Sequence, residues 1–190
     1  MNVLFLGPQG SGKGTQATRI CAAHGVPHVS TGDMFRAAIA EQTALGREVE
    51  PIVAAGELVP DALTVALIRD RIAKDDAQAG FILDGFPRNI AQAESLDRML
   101  EVIGRPLDRV FFFDLDDATA TTRALERANR EARVDDTPEV IARRLAIYHE
   151  QTAPVVARYR ATGTLHEINA ARSVDDVFAE ISAAFGWLAR

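Results

Sequence analysis

The sequence predicts an α/β fold: a five-stranded parallel sheet flanked by helices. Three observations carry this. Apolar runs of strand length alternate with amphipathic runs of helix length. The strand-length runs are apolar at nearly every residue, as in strands covered on both faces. The first of them ends in a glycine-rich turn, "GPQGSGKGTQ", placed to open a helix.

The elements follow in order. Asn2 to Leu6, "NVLFL", is a buried strand ending at Gly7. Lys13 to His24 is a helix closed by Gly25. "PHVS" can form a short second strand. Gly32 to Glu41 and Ala44 to Ala55 read as helices. Pro60-Asp61 starts another, with Leu63, Leu67 and Ile68 as its apolar stripe. "GFILDG" is the next buried strand, and Asn89 can cap the helix holding Ala93, Leu96 and Leu100. "RVFFFDL", Arg109 to Leu115, is apolar almost throughout. A helix runs from Asp117 towards Ala128. A long helix starts at Pro138, a good first-turn residue, and reaches about Ala161. "LHEIN" is the last strand and Ser173 to Leu188 the last helix.

Composition narrows the function. The chain has 190 residues, enough for one domain with a real core. Its formal net charge of −6 argues against general binding to nucleic acid or to a membrane surface. No apolar run is long enough to span a bilayer, and no signal peptide is read before the first strand, so a cytoplasmic protein is expected. Cys21 is the sole cysteine, which excludes a disulfide framework and a cysteine-based zinc site. Only Lys13 and Lys74 are lysine; every other basic residue except the histidines is arginine. A lysine at the glycine-rich turn therefore stands out. A compact ammonium serves a phosphate as a point charge, without the planar geometry a guanidinium demands.

In parallel sheets, ligands bind outside the carboxyl ends of the strands. That brings together the turn after Leu6, the "DGFPR" after Leu83 and the acidic "DLDD" after Phe113. Glycines 7, 10, 12 and 14 let backbone amides close around a phosphate at a helix N-terminus. Asp84 can hold Mg²⁺, directly or through water, or cap the loop amides. Arg88 follows a turn marked by Gly85 and Pro87 and can reach the same rim. Arg123 and Arg127 share a helix face. Arg133 lies in the next connection. Arg144 falls on the stripe of Ile141, Leu145 and Tyr148, and Arg143 lies beside Val140 and Ile147, so periodicity alone leaves open which of the two turns inward. Each arginine alone reads as a surface charge. Together, beside a phosphate loop, they read as a clamp for several phosphates, the equipment phosphoryl transfer needs.

The stretches "GPQGSGKGTQ", "STGDMFR", "GELVPD", "GFILDGFPRNIAQA", "RVDDTPEVIARRL" and "YHEQTAPV" resemble adenylate kinases, in this order and at the family's spacing. The resemblance implies a P-loop nucleoside monophosphate kinase fold in a single domain, 1–190. Within it, 30–59 would be an AMP-binding subregion and 126–136 a short lid. It implies transfer of the γ-phosphoryl of ATP to AMP, reversibly giving two ADP, with Mg²⁺ held mostly by phosphates and water. Asp84 would act on Mg²⁺ through water. Gly10, Ser11, Gly12, Lys13, Gly14 and Thr15 would bind the ATP phosphates. Arg123 would lie along the ATP adenine, the backbone near Arg172 would approach it, and Arg127 would meet the phosphates. AMP would be held by Thr31, Arg36, the backbone of Glu57, Leu58 and Val59, by Gly85, Phe86, Pro87, Arg88 and by Gln92. Arg133 and Arg144 would bridge donor and acceptor. Lys13, Arg88, Arg127, Arg133 and Arg144 form the expected catalytic set.

Two departures from the family pattern stand out. Long adenylate kinases insert a lid subdomain between the positions of Arg127 and Arg133; here only "ANREA" stands there, which implies a short form without a zinc-bearing lid. After the last strand the family often has Asp-Gly-Thr, and this chain has Asn169-Ala170-Ala171. The nearest rival is a UMP/CMP kinase. Those enzymes usually carry Ala and Asn where this chain has Thr31 and Gln92, so AMP is the expected acceptor; the resemblance separately implies a monomer.

Overall fold

A computed structural model describes residues 1–131 and 136–188. Its sheet contains β1 (Asn2–Leu6), β2 (His28–Ser30), β3 (Phe81–Asp84), β4 (Arg109–Asp114) and β5 (Leu165–Asn169), in the order β2-β3-β1-β4-β5. All four pairings are parallel. The strands split their side chains between two cores with period two. Val3 and Phe5, Ile82, and Phe111 and Phe113 enter one. Leu4 and Leu6, Phe81 and Leu83, and Val110 enter the other. That is why these runs are apolar throughout.

Helices cover both faces. On the first lie α1 (Lys13–His24) and α9 (Val174–Leu188), which contribute Ala17, Ile20, Val177, Ile181 and Phe185. On the second lie α4 (Asp61–Ile72), α5 (Ile90–Val102) and α8 (Ala153–Ala161), through Ile68, Leu96, Leu100 and Val155. A third, small core centred on Phe35, Val49 and Val59 joins α2 (Thr31–Ala40) to α3 (Ala44–Ala54). The helices α6 (Asp117–Glu131) and α7 (Pro138–Ile147) complete the fold. No helix among the described residues is long and apolar enough to cross a membrane.

The predicted caps form. The Asn89 Oδ1 accepts from the Gln92 N–H at 2.8 Å, and Gly25 closes α1 in the left-handed region with its N–H on the Cys21 carbonyl. Ser30 Oγ takes the Asp33 N–H, so α2 begins one residue earlier than the pattern suggested. The long helix after Pro138 is interrupted. Tyr148–Thr152 forms one π turn, where the Ala153 N–H reaches back to the Tyr148 carbonyl. Pro154 lacks an N–H and its ring crowds the preceding turn, so a widened turn relieves the clash. A short 3₁₀ turn at Asp75–Ala77 has no apolar periodicity and was not legible in the sequence.

The α2–α3 corner is closely packed. A Cβ on Gly46 would stand 1.9 Å from the Ala38 carbonyl oxygen. Thr43 caps α3 by accepting from the Gly46 N–H at 3.0 Å, and its own hydroxyl donates to Ala38 O at 3.2 Å. Gly46→Ala is therefore expected to cost about 1–3 kcal/mol of stability, since backbone has to move to admit the methyl. Urea denaturation of the variant against the parent measures it.

Candidate functional site

The strand β1 is flanked by β3 on one side and β4 on the other, so chain crossovers leave it in opposite directions. A crevice opens there at the carboxyl ends. It is a cleft of about 890 Å³, lined by every residue that the family resemblance assigned to the site except Arg133, which lies outside the described residues; the acidic segment 114–117, expected at the same rim, does not line it.

The glycine-rich loop forms the floor. Gly10 (φ 78°) passes so close to α6 that a Cβ would stand 2.3 Å from the Ala120 carbonyl oxygen. Gly12 (φ 89°) is the left-handed residue that launches α1. The Lys13 side chain folds back across the loop. Its ammonium donates to the carbonyls of Gly7 and Pro8, both at 2.8 Å, and to Ser11 Oγ at 3.3 Å. Burial pushes its pKa down to about 8; Asp84 opposes this, while Arg88 and Arg127 add to it.

Asp84 ends β3 beside this loop, with its side chain 13% exposed. Burial alone would raise its pKa. The His28 ring, 3.4 Å from Oδ2, together with the charges of Lys13 and Arg88, outweighs burial and holds the carboxyl below its usual value. Nothing adjacent to His28 in the sequence marks it as a site residue. It sits in the cleft because β2 runs beside β3, with Ser30 level with Asp84. Only the pairing of β2 with β3 could have revealed that.

Further cations gather in the same cleft. The Arg88 Nε donates to the Gly85 carbonyl at 2.7 Å, and among the described residues Arg88 makes no ion pair. Burial lowers its pKa first, with Arg144 and Arg36 adding to the effect and Asp84 opposing it. Arg144, not Arg143, turns inward: its side chain is 18% exposed against 51% for Arg143, which pairs with Glu57. The reason is Asp136, whose side chain is fully buried. One of its oxygens accepts from Arg127 Nη2 at 2.6 Å and the other from Arg144 Nη1 at 2.5 Å. Asp136 is thus an ion-pair partner and not a helix cap. The cap of α7 is Thr137, whose Oγ1 takes the Val140 N–H. Asp135 lies outside the described residues.

The two ends of the cleft differ. At one, Arg123 donates to the Ala170 carbonyl at 2.7 Å and to that of Ala171 at 3.4 Å, and Arg172 pairs with Glu180. The carbonyls of the Asn169-Ala170-Ala171 segment thus hold Arg123. At the other end, Thr31 Oγ1 donates to the Gly85 carbonyl at 2.9 Å and Arg36 pairs with Asp33 at 2.6 Å. Gln92 is buried there between Asp61 and the Arg88 backbone. The result is one cleft with two distinct ends joined by a band of cations, suited to two ligands that meet through their anionic ends.

For a metal, Asp84 offers one hard, ionised oxygen donor at the rim. No cluster of three or more His, Cys, Asp or Glu side chains able to hold a metal occurs among the described residues. This donor set fits Mg²⁺, which retains water and completes its shell with phosphate oxygens; it does not fit a structural zinc.

Comparison with known proteins agrees with this architecture. The profile of the family described as adenylate kinase matches residues 5–164. An adenylate kinase of Parvibaculum lavamentivorans is 48% identical, with 100% of this chain and 98% of the relative aligned. One of Kocuria rhizophila is 48% identical over 96% of this chain and 97% of its own length. One of Thermobifida fusca is 48% identical over 93% of this chain and 94% of its own. A match of this length and identity, on a parallel sheet with its phosphate loop and arginines at one rim, has one reading: the chain belongs to the adenylate kinase family.

Proposed function

We propose that this chain moves the γ-phosphoryl of ATP to the phosphate of AMP, reversibly yielding two ADP, with Mg²⁺. The observation that carries the proposal is the convergence of Lys13, Arg88, Arg127 and Arg144 on one cleft that also contains Thr31 and Gln92. ATP takes the end built from Gly10 to Thr15, Arg123 and the backbone near Arg172. AMP takes the end built from Thr31, Arg36, the Glu57–Val59 backbone, Gly85 to Arg88 and Gln92. Arg144 and Arg133 span the two, and Arg127 meets the donor phosphates. The domain is a single unit, 1–190, with 30–59 serving the acceptor and 126–136 as a short lid. The chain acts as a cytoplasmic monomer on nucleotides, without nucleic-acid or membrane partners.

The mechanism follows from charge. The acceptor phosphate oxygen is already anionic near neutral pH, so no general base is needed. Catalysis reduces to holding two polyanions in line and stabilising the charge that spreads over the transferring group. Lys13 supplies a point charge at the donor end. Arg88, which pairs with no carboxylate among the described residues, offers a fork to the acceptor phosphate. Asp136 holds Arg127 and Arg144 at a fixed spacing, so little reorganisation is left for the reaction itself. Mg²⁺, kept through water by Asp84, would neutralise the donor phosphates.

Three outcomes test this reading. With ATP fixed, kcat/KM for AMP should exceed that for CMP, UMP and GMP; a preference for CMP or UMP would assign the chain to pyrimidine acceptors. Lys13 is protonated below about pH 8 and loses its charge above it. kcat/KM for ATP should therefore fall as pH rises through about 8, and kcat should fall only at higher pH, because bound phosphate stabilises the ammonium. Superimposable profiles would remove Lys13 from the donor site. Finally, Arg133→Ala should lower kcat by about a thousandfold with little change in the AMP KM. Arg36→Ala should instead raise the AMP KM. Identical behaviour of the two variants would contradict the division between binding and clamping.

A further inference from the structure

Behind the acceptor end lies a hydrogen-bond knot in which every polarity is determined. The Gln92 Nε2 donates to Asp61 Oδ1 at 2.7 Å, and Gln92 Oε1 accepts from the Arg88 N–H at 2.7 Å. Asn89 Nδ2 donates to the same Asp61 oxygen at 3.0 Å, and Asn89 Oδ1 takes the Gln92 N–H. A carboxylate only accepts and a backbone N–H only donates. Turning the Gln92 amide over would set oxygen against oxygen at Asp61 and N–H against N–H at Arg88. The amide therefore has one orientation, dictated by its partners and not by a choice between two similar atoms.

We propose that Asp61 is a specificity-positioning residue that locks the Gln92 amide to read a 6-aminopurine and reject a 6-oxopurine. Asp61 is not part of the cleft wall, whereas Gln92 is. Once its two protein bonds are made, the Gln92 amide retains one lone pair on Oε1 and one hydrogen on Nε2. These form an acceptor and a donor in fixed order. Adenine presents the complement, an exocyclic amine that donates and an N1 that accepts. Hypoxanthine and guanine present the reverse, a carbonyl and an N1–H. An amide free to turn over would serve both classes. One held by Asp61 and the Arg88 N–H serves only the first, because a site built for one set of hydrogen bonds leaves its buried groups unpaired against the other.

The role rests on AMP being the acceptor, and the experiment separates the two. kcat/KM for AMP and for inosine monophosphate, at fixed ATP, is measured in the parent, Asp61→Ala, Asp61→Ser and Asp61→Asn. Inosine monophosphate reverses the polarity without the extra amino group of guanine. A ratio of two substrates on one preparation is independent of the folded fraction, so loss of stability does not obscure it. The AMP-to-IMP ratio should fall about tenfold or more in Asp61→Ala and in Asp61→Ser, whose hydroxyl is too short to reach Gln92. It should stay within about twofold of the parent in Asp61→Asn, which keeps an acceptor oxygen. The ATP KM should not move. A tie between α4 and α5 that was structural only would change the melting temperature and leave the ratio untouched. Parental ratios in Asp61→Ala and Asp61→Ser would overturn the role of Asp61 alone, as would Asp61→Asn failing as fully as Asp61→Ala. A parent enzyme that uses neither purine would overturn the acceptor reading, and the role of Asp61 with it.

Discussion

Crowding like charges in one cleft is the constraint around which this structure is arranged. Lys13, Arg88, Arg127 and Arg144 line a single cavity. Their mutual repulsion is visible in the lowered pKa values of Lys13 and Arg88, each depressed first by burial and then by neighbouring cations. Such a set stays folded only if a few carboxylates offset it without filling the space that the phosphates need. Two do so. Asp84 sits against the loop, and Asp136 lies fully buried between two guanidiniums. Each neutralises part of the charge from behind and leaves Arg88 free of any ion pair among the described residues.

The sheet makes this geometry affordable. Four parallel pairings direct the carboxyl ends of the strands to one edge, so residues distant in sequence meet there across helical crossovers. The bulk of the energy lies elsewhere, in the two cores on either face of the sheet, where Phe5, Phe81, Phe111 and Phe113 are excluded from water. Stability and function are thus spatially separated. The cores hold the strands rigid, and the rim carries the uncompensated charge. The π turn at Tyr148–Thr152 belongs to the same logic, because it lets one continuous helical run carry Arg144 at one end and pack Val155 and Val156 into the core at the other.

Most of the frame was legible before any coordinates. The identity of β1, β3 and β4 came from apolar runs, and the loop, Asp84 and Arg88 came from glycine spacing and the rule that ligands gather at strand ends. Site membership for Arg36 and Thr31 came from the family resemblance, not from any physical signal in the residues. Three features of the site were not legible. Arg143 and Arg144 differ by one helical position, and the choice depends on Asp136, a tertiary contact across eight residues. His28 enters the cleft only because β2 adds to the outer edge of β3. The Asp61–Gln92 bond joins residues 31 apart, and no local pattern encodes it.

The central claim is that one cleft holds a donor and an acceptor nucleotide together, phosphates facing. A dinucleotide with two adenosines joined through five phosphates would occupy both ends at once. Its binding, measured by calorimetry against ATP and AMP separately, is the most direct test. One molecule per chain is expected, bound orders of magnitude more tightly than either nucleotide, with the advantage largely lost in Arg88→Ala, because linked ligands bypass the cost of a second association. Binding no tighter than that of ATP alone, or two molecules per chain, would contradict it.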